Sequence, residues 1–313
     1  MALSRKTYPV DVVLAGFNLA MAGVWAAGIG QWGYAPVLVG VHVIGAGLPW
    51  LIRRAGTLST PVGHLRRIYP LIWLSAFWTE VDLVRRQLHD GSFDAVIIEL
   101  EQALLGFHPH ELWLPQVDSL WLSELLYLSY FAYYLTIILP VVWLWLRGRD
   151  VELMDTLLRM MAVYTLCFFL FALMPVDGPR HTGMVFDGAA SRGPFAQLVQ
   201  LVAVEHGESL GAAFPSSHVA GAVTMAWVGW LYLPRWAFYL LAVEALGVFL
   251  STFYTQAHYA IDSVAGLFLA MVVQLLLIPV TLRFRAMRTA PAAPDPPLRE
   301  SAAYSTSAET GSG

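Results

Sequence analysis

Three stretches of the chain combine histidine with carboxylate, hydroxyl or guanidinium groups. They are Asp177-Gly178-Pro179-Arg180-His181, Phe214-Pro215-Ser216-Ser217-His218, and the run from Ser251 to Asp262 that contains His258. At i and i+4 of a helix, His258 and Asp262 share a face, so the carboxylate can accept a hydrogen bond from one ring nitrogen and leave the other free as nucleophile or base. The plainer reading of such a pair is a structural hydrogen bond where a membrane span ends. His218 stands at the start of an apolar segment, where unpaired backbone N–H groups and the helix dipole favour a bound anion. Pro215 suits the first helical position there, and the hydroxyls of Ser216 and Ser217 add donors. Arg180 offers a planar fork of donors matched to phosphate or carboxylate oxygens. Together these groups make an anion cradle, a nucleophile and an acid, with no metal required. A metal site from His218, His258 and Asp262 is the geometric alternative.

The rest of the chain has to position these groups at a membrane surface. Of its 313 residues 58% are hydrophobic and 13% charged, against about 45–50% and about 25% for a soluble domain. The apolar residues fall in runs near the roughly 20 needed to cross a bilayer core. The expectation is an all-α, polytopic transmembrane bundle of about eight spans: 10–29, 34–52, 68–84, 120–146, 153–174, 218–233, 236–254 and 259–282. Residues 1–288 read as one integral-membrane domain, and the Ala/Pro/Ser-rich tail 289–313 as disordered. Nothing points to nucleic acid, and the single Cys167 excludes an intramolecular disulfide and a cysteine metal site.

Two segments break the pattern. Within 85–119, Phe93, Ile97, Leu100 and Leu104 recur at helical spacing between Ser92 and Gly106. They predict an amphipathic helix that lies on the bilayer or packs over the spans as a lid. The polar loop 175–213 has a length usual for functional or disordered loops. Arginines gather in 53–67, 147–152, 234–235 and the segment before the tail, which places those segments in the cytoplasm and the chemistry on the extracytoplasmic face. The excess of arginine over lysine and the lack of a glycosylation sequon fit a bacterial plasma membrane. Glu80 and Asp82, in the third run, are expected to face the interior or a wet cavity.

In order and spacing, the second and third stretches resemble the type 2 phosphatidic acid phosphatase (lipid phosphate phosphatase) superfamily, whose motifs read Pro-Ser-Gly-His and Ser-Arg-x5-His-x3-Asp. Gly178-Pro179-Arg180-His181 and His258-Tyr259-Ala260-Ile261-Asp262 look closest to its inositol phosphorylceramide synthase-like members. The resemblance implies a six-helix-type phosphatase core, a lipid substrate with a phosphate headgroup, and no cofactor or metal. It also implies roles: His258 attacks phosphorus and forms a phosphohistidine, Asp262 orients it, and His218 protonates the departing oxygen. Arg180, Ser216, Ser217 and His181 would hold the phosphoryl oxygens. Water as acceptor makes a phosphatase, an alcohol a phosphotransferase. The chain also departs from the family pattern. Its Lys-x6-Arg-Pro motif is absent, Ser217 replaces a glycine, and Thr252 replaces a phosphate-binding arginine. Either another group such as Arg192 or His181 supplies that charge, or the substrate is a less charged phosphodiester, which favours headgroup transfer. A transporter or channel, with Glu80, Asp82, His218 and Asp262 lining an ion path, is the reading from another class.

Overall fold

The computed structural model describes residues 7–55, 61–116, 119–182, 193–204 and 209–282; the expected tail 289–313 and Arg192 lie outside them. Among the described residues there are eleven α-helices and no β-strand, only an isolated parallel bridge between Val176 and Ala212. In chain order the helices are α1 (Pro9–Ala27), α2 (Ala35–Ala55), α3 (Pro61–Leu88), α4 (Asp94–Leu105), α5 (Pro109–Gln116), α6 (Leu120–Leu146), α7 (Asp150–Leu173), α8 (Pro194–Val199), α9 (Ser217–Tyr232), α10 (Arg235–Tyr254) and α11 (Ala260–Val272). A π turn, Val273–Leu277, carries α11 on towards Leu282.

Six of them, α1, α2, α6, α7, α10 and the extended α11, are long and apolar enough to cross a membrane. The other two expected spans also fold as helices. One, α3, carries arginines near both ends together with Glu80 and Asp82; the other, α9, has 16 residues. Starts follow local chemistry: Pro9 opens α1, and the hydroxyl oxygens of Ser119 and Ser216 accept backbone N–H groups at the heads of α6 and α9. The helix around His218 therefore begins at Ser217 with Ser216 as its cap. Pro215 lies before the cap, not at the first helical position expected for it.

Of the six the best buried is α7, which packs on α1, α3 and α9, and α9 in turn packs on α6, α10 and α11. At one end of the bundle Arg67 holds Asp150 at 2.8 Å, and Arg149 donates to the Tyr232 carbonyl at 2.6 Å. These bonds gather the start of α3, the α6–α7 turn and the end of α9, all flanked by arginines. The three chemistry-bearing stretches meet at the other end. Glu80 turns inward, bonded to Trp25 and, at 2.8 Å, to His42, while Asp82 pairs with Arg86 at 2.7 Å.

The break at 85–119 holds two helices, and α4 packs over the site end against α11. Its buried face is Asp94, Ile97 and Glu101, whereas Leu100 and Leu104 are exposed. The side placed against the spans is thus two carboxylates around one isoleucine, rotated from the apolar stripe the spacing predicts.

Candidate active site

His258 and Asp262 are placed by the turn that joins α10 to α11. Gln256 takes a left-handed conformation there (φ 60°), and the carbonyl of Thr252 accepts the backbone N–H groups of Ala257 and His258 at 3.0 and 3.1 Å. The His258 ring is buried. Its Nδ1–H donates to the carbonyl of Ala213 at 2.8 Å, and its Nε2 lies 3.4 Å from His218 Nδ1. With the Nδ1 proton committed to a carbonyl, the lone pair of neutral His258 sits on Nε2.

Asp262 does not make the hydrogen bond expected of it. Its Oδ2 accepts the backbone N–H of Tyr259 at 2.8 Å and stands 3.7 Å from His258 Nδ1. As the third residue of α11 it is drawn back to the helix start, and the Ala213 carbonyl takes the ring proton instead. A buried carboxylate at that distance still favours positive charge on the imidazole. Its backbone carbonyl accepts from Ser216 N–H at 2.9 Å, which locks the second and third stretches together. A Cβ on Gly266 would sit 2.3 Å from the Ser216 carbonyl, so only glycine lets α11 approach this closely.

His218 is packed among aromatic rings, stacked on Tyr130 at 5.0 Å and tilted against Tyr133 at 4.4 Å; its Nε2 is buried without a hydrogen-bond partner among the described residues. Arg180 reaches the same group from the first stretch. Its Nε donates to the Thr255 carbonyl at 2.9 Å, and its guanidinium stands 5.9 Å from the Tyr130 ring. Gly178 (φ 92°) makes that docking possible, because a Cβ there would meet the Ala257 carbonyl at 2.7 Å.

His218, His258 and Ser217 line a cavity of about 480 Å³ that continues along Trp78 of α3, Tyr133 and Ile138 of α6, and Phe168 of α7. Arg180, Asp262, Ser216 and His181 do not line it: Asp262 stands behind His258, Ser216 is the buried cap of α9, and His181 is exposed on the short 3-10 turn Pro179–His181. Thr252, which stands where the family has arginine, bonds Ser263 Oγ at 2.7 Å. Among the described residues no group of three His, Cys, Asp or Glu side chains is disposed to hold a metal ion.

Two supports escape sequence reasoning. Asp94 of α4 accepts the backbone N–H groups of Asp177 and Gly178 and the Tyr259 hydroxyl, at 2.8, 2.8 and 2.9 Å. Seven residues on, Glu101 accepts the first N–H of α11, that of Ala260, at 2.8 Å. His108 and His110 stand 2.9 and 3.5 Å from its other oxygen. Burial opposes its charge, but His110, His108 and the Ala260 N–H outweigh burial and hold the Glu101 carboxyl below the usual carboxylate range. The i, i+7 spacing that puts both carboxylates on one helix face is visible in the sequence; the Ala213 carbonyl, a backbone group, is not.

A family model described as the PAP2 superfamily matches residues 95–276, more than half of the chain. No curated protein and no solved structure matches it.

Proposed function

The chain belongs to the PAP2 superfamily, which points to a membrane phosphatase-type enzyme, and on that premise we propose that it breaks or transfers a phosphate ester of a lipid through a phosphohistidine on His258, without a metal. The observation that carries this reading is the pair of histidines at the cavity wall, with His258 Nε2 set against His218 Nδ1 at 3.4 Å and His258 Nδ1 tied to a carbonyl. A phosphoryl group entering the cavity parts the two rings. Nε2 attacks phosphorus, the bond to the lipid oxygen breaks, and that oxygen takes a proton from His218. Asp262 favours the positive charge gained by the His258 ring. An acceptor O–H then attacks phosphorus, the P–N bond breaks, and the acceptor's proton returns to His218.

Arg180, Ser217 and the N–H groups at the head of α9 are the donors for phosphoryl oxygens as charge spreads over them. The cavity wall running along α3, α6 and α7 is largely aromatic and aliphatic, which suits an acyl or isoprenoid tail. In this reading eight helices span the bilayer, α3 and α9 included. The arginine-flanked end of the bundle faces the cytoplasm, and the site opens on the extracytoplasmic face of a plasma membrane.

The test is phosphate release from a panel of lipid monophosphates by purified protein in detergent with EDTA, wild type beside His258→Ala. Release that survives EDTA and falls more than about 10³-fold in the variant is the expected result. Equal release by wild type and variant would sink the histidine mechanism.

A further inference from the structure

Helix α4 serves the site with one face and leaves another uncovered. Asp94, Ile97 and Glu101 are its buried face. Val96, Leu100 and Leu104 are exposed, Leu104 to 65%. At about 100° per residue these three lie to one side of the buried face, and Glu99 and Gln102, also exposed, lie to the other. The helix therefore has one side toward protein, one apolar and one polar.

Its bonds set its level. Asp94 takes the N–H groups of Asp177 and Gly178, just past the end of α7 at Leu173, and Glu101 takes the first N–H of α11. Both α7 and the extended α11 are long and apolar enough to cross a membrane, so in a bilayer these two ends lie at its surface. Seven residues of helix rise about 10 Å, close to the spacing of neighbouring helices. Helix α4 thus lies across the end of the bundle, along that surface. Trp121, 88% exposed at the head of α6, marks the same level with a residue typical of bilayer interfaces.

A polar flank opposite an apolar one suits a helix at the boundary of lipid and water. The three apolar side chains fall well short of the roughly 800 Å² that each partner of a stable protein interface buries. From Gln87 to Leu146 the chain has no lysine or arginine, so anionic headgroups find nothing to attract there. We propose that Val96, Leu100 and Leu104 seat α4 in the lipid surface beside the site, by apolar burial and not by charge. The bilayer is then a partner of the helix that joins the first stretch to the head of α11. The seating is independent of any chemistry at His258.

The experiment places bimane on Leu104→Cys and on Gln102→Cys in full-length protein, reconstituted in phosphatidylcholine nanodiscs. Buried Cys167, the sole native cysteine, sets the labelling background in wild type. An interfacial helix buries its apolar face by about 5–10 Å, so lipid with a doxyl group high on its acyl chain should dim the Leu104 label about twofold. The Gln102 label should respond to aqueous iodide instead. Leu100→Cys should repeat the Leu104 result, and neither anionic lipid nor high salt should change it. A Leu104 label reached by iodide and not by doxyl lipid would overturn the proposal. So would quenching that disappears at high salt, or a label shielded from both quenchers, the result expected if a second copy of the chain or another protein covers this side.

Discussion

The spacing of His258 and Asp262 predicts a shared helical face, but His258 lies in the turn before α11, and the proton that fixes its tautomer goes to the carbonyl of Ala213, 45 residues upstream. The lone pair of neutral His258 is thereby left on Nε2, which faces His218 Nδ1 at 3.4 Å. The partner differs because Asp262, third in α11, is committed to the Tyr259 N–H. The His218 ring, enclosed by Tyr130 and Tyr133, has its own signature. As the proposed general acid it matters in proportion to how badly the leaving oxygen needs a proton. His218→Ala should slow release from a lipid monophosphate by about 10²–10⁴-fold, yet slow p-nitrophenyl phosphate by no more than about tenfold, since nitrophenolate departs unprotonated. Equal losses on both substrates would mean that His218 holds phosphate rather than donating a proton. Types and spacing disclosed the histidines and Arg180. They did not disclose which groups reach the cavity: Ser217 lines its wall, while Arg180 does not, Ser216 is spent on capping and His181 is exposed.

At the scale of elements, α4 works as a clamp. Its spacing predicted an apolar stripe with Leu100 and Leu104 that meets either the bilayer or the spans. The side packed on the spans is the face with Asp94 and Glu101, because the loop after α7 and the head of α11 present N–H groups that need acceptors, and Leu100 and Leu104 stay exposed. Periodicity reports apolar stripes and is blind to a carboxylate buried for a backbone's sake. Glu101→Gln should cost about 2 kcal/mol at neutral pH, a value typical of hydrogen bonds to a charged group. The pH dependence follows from the lowered position of this carboxyl. Its contribution is whole above the ordinary carboxylate value of about 4.3 and is lost as pH falls through the lower value it has in the fold. Thermal unfolding in detergent should therefore show the gap between wild type and Glu101→Gln narrowing below about pH 4. A gap that stays constant through that range would mean Glu101 acts by shape alone.

For the whole molecule, composition and run length disclosed a helical membrane protein, and six helices have the length and apolar character to cross a bilayer. What they could not disclose was the joining of the arginine-bearing segments through Arg67–Asp150 and Arg149–Tyr232, contacts between residues about 83 positions apart. That joining gives the bundle a basic end and a chemical end, and the proposed orientation is testable because Cys167 is the sole cysteine and is buried. Thr182 and Arg235 are both exposed, at opposite ends. In intact cells a membrane-impermeant maleimide should label Thr182→Cys, and should reach Arg235→Cys only after permeabilisation; the reverse pattern would invert the proposed topology. The length of α9 then sets a depth. Its 16 residues rise about 24 Å, against a hydrocarbon slab about 30 Å thick. On the proposed topology, with Arg235 at the cytoplasmic interface, His218 stops short of the outer headgroups. The phosphate of the proposed reaction would then have to sink below its neighbours, and bilayer thickness would become a control on the rate.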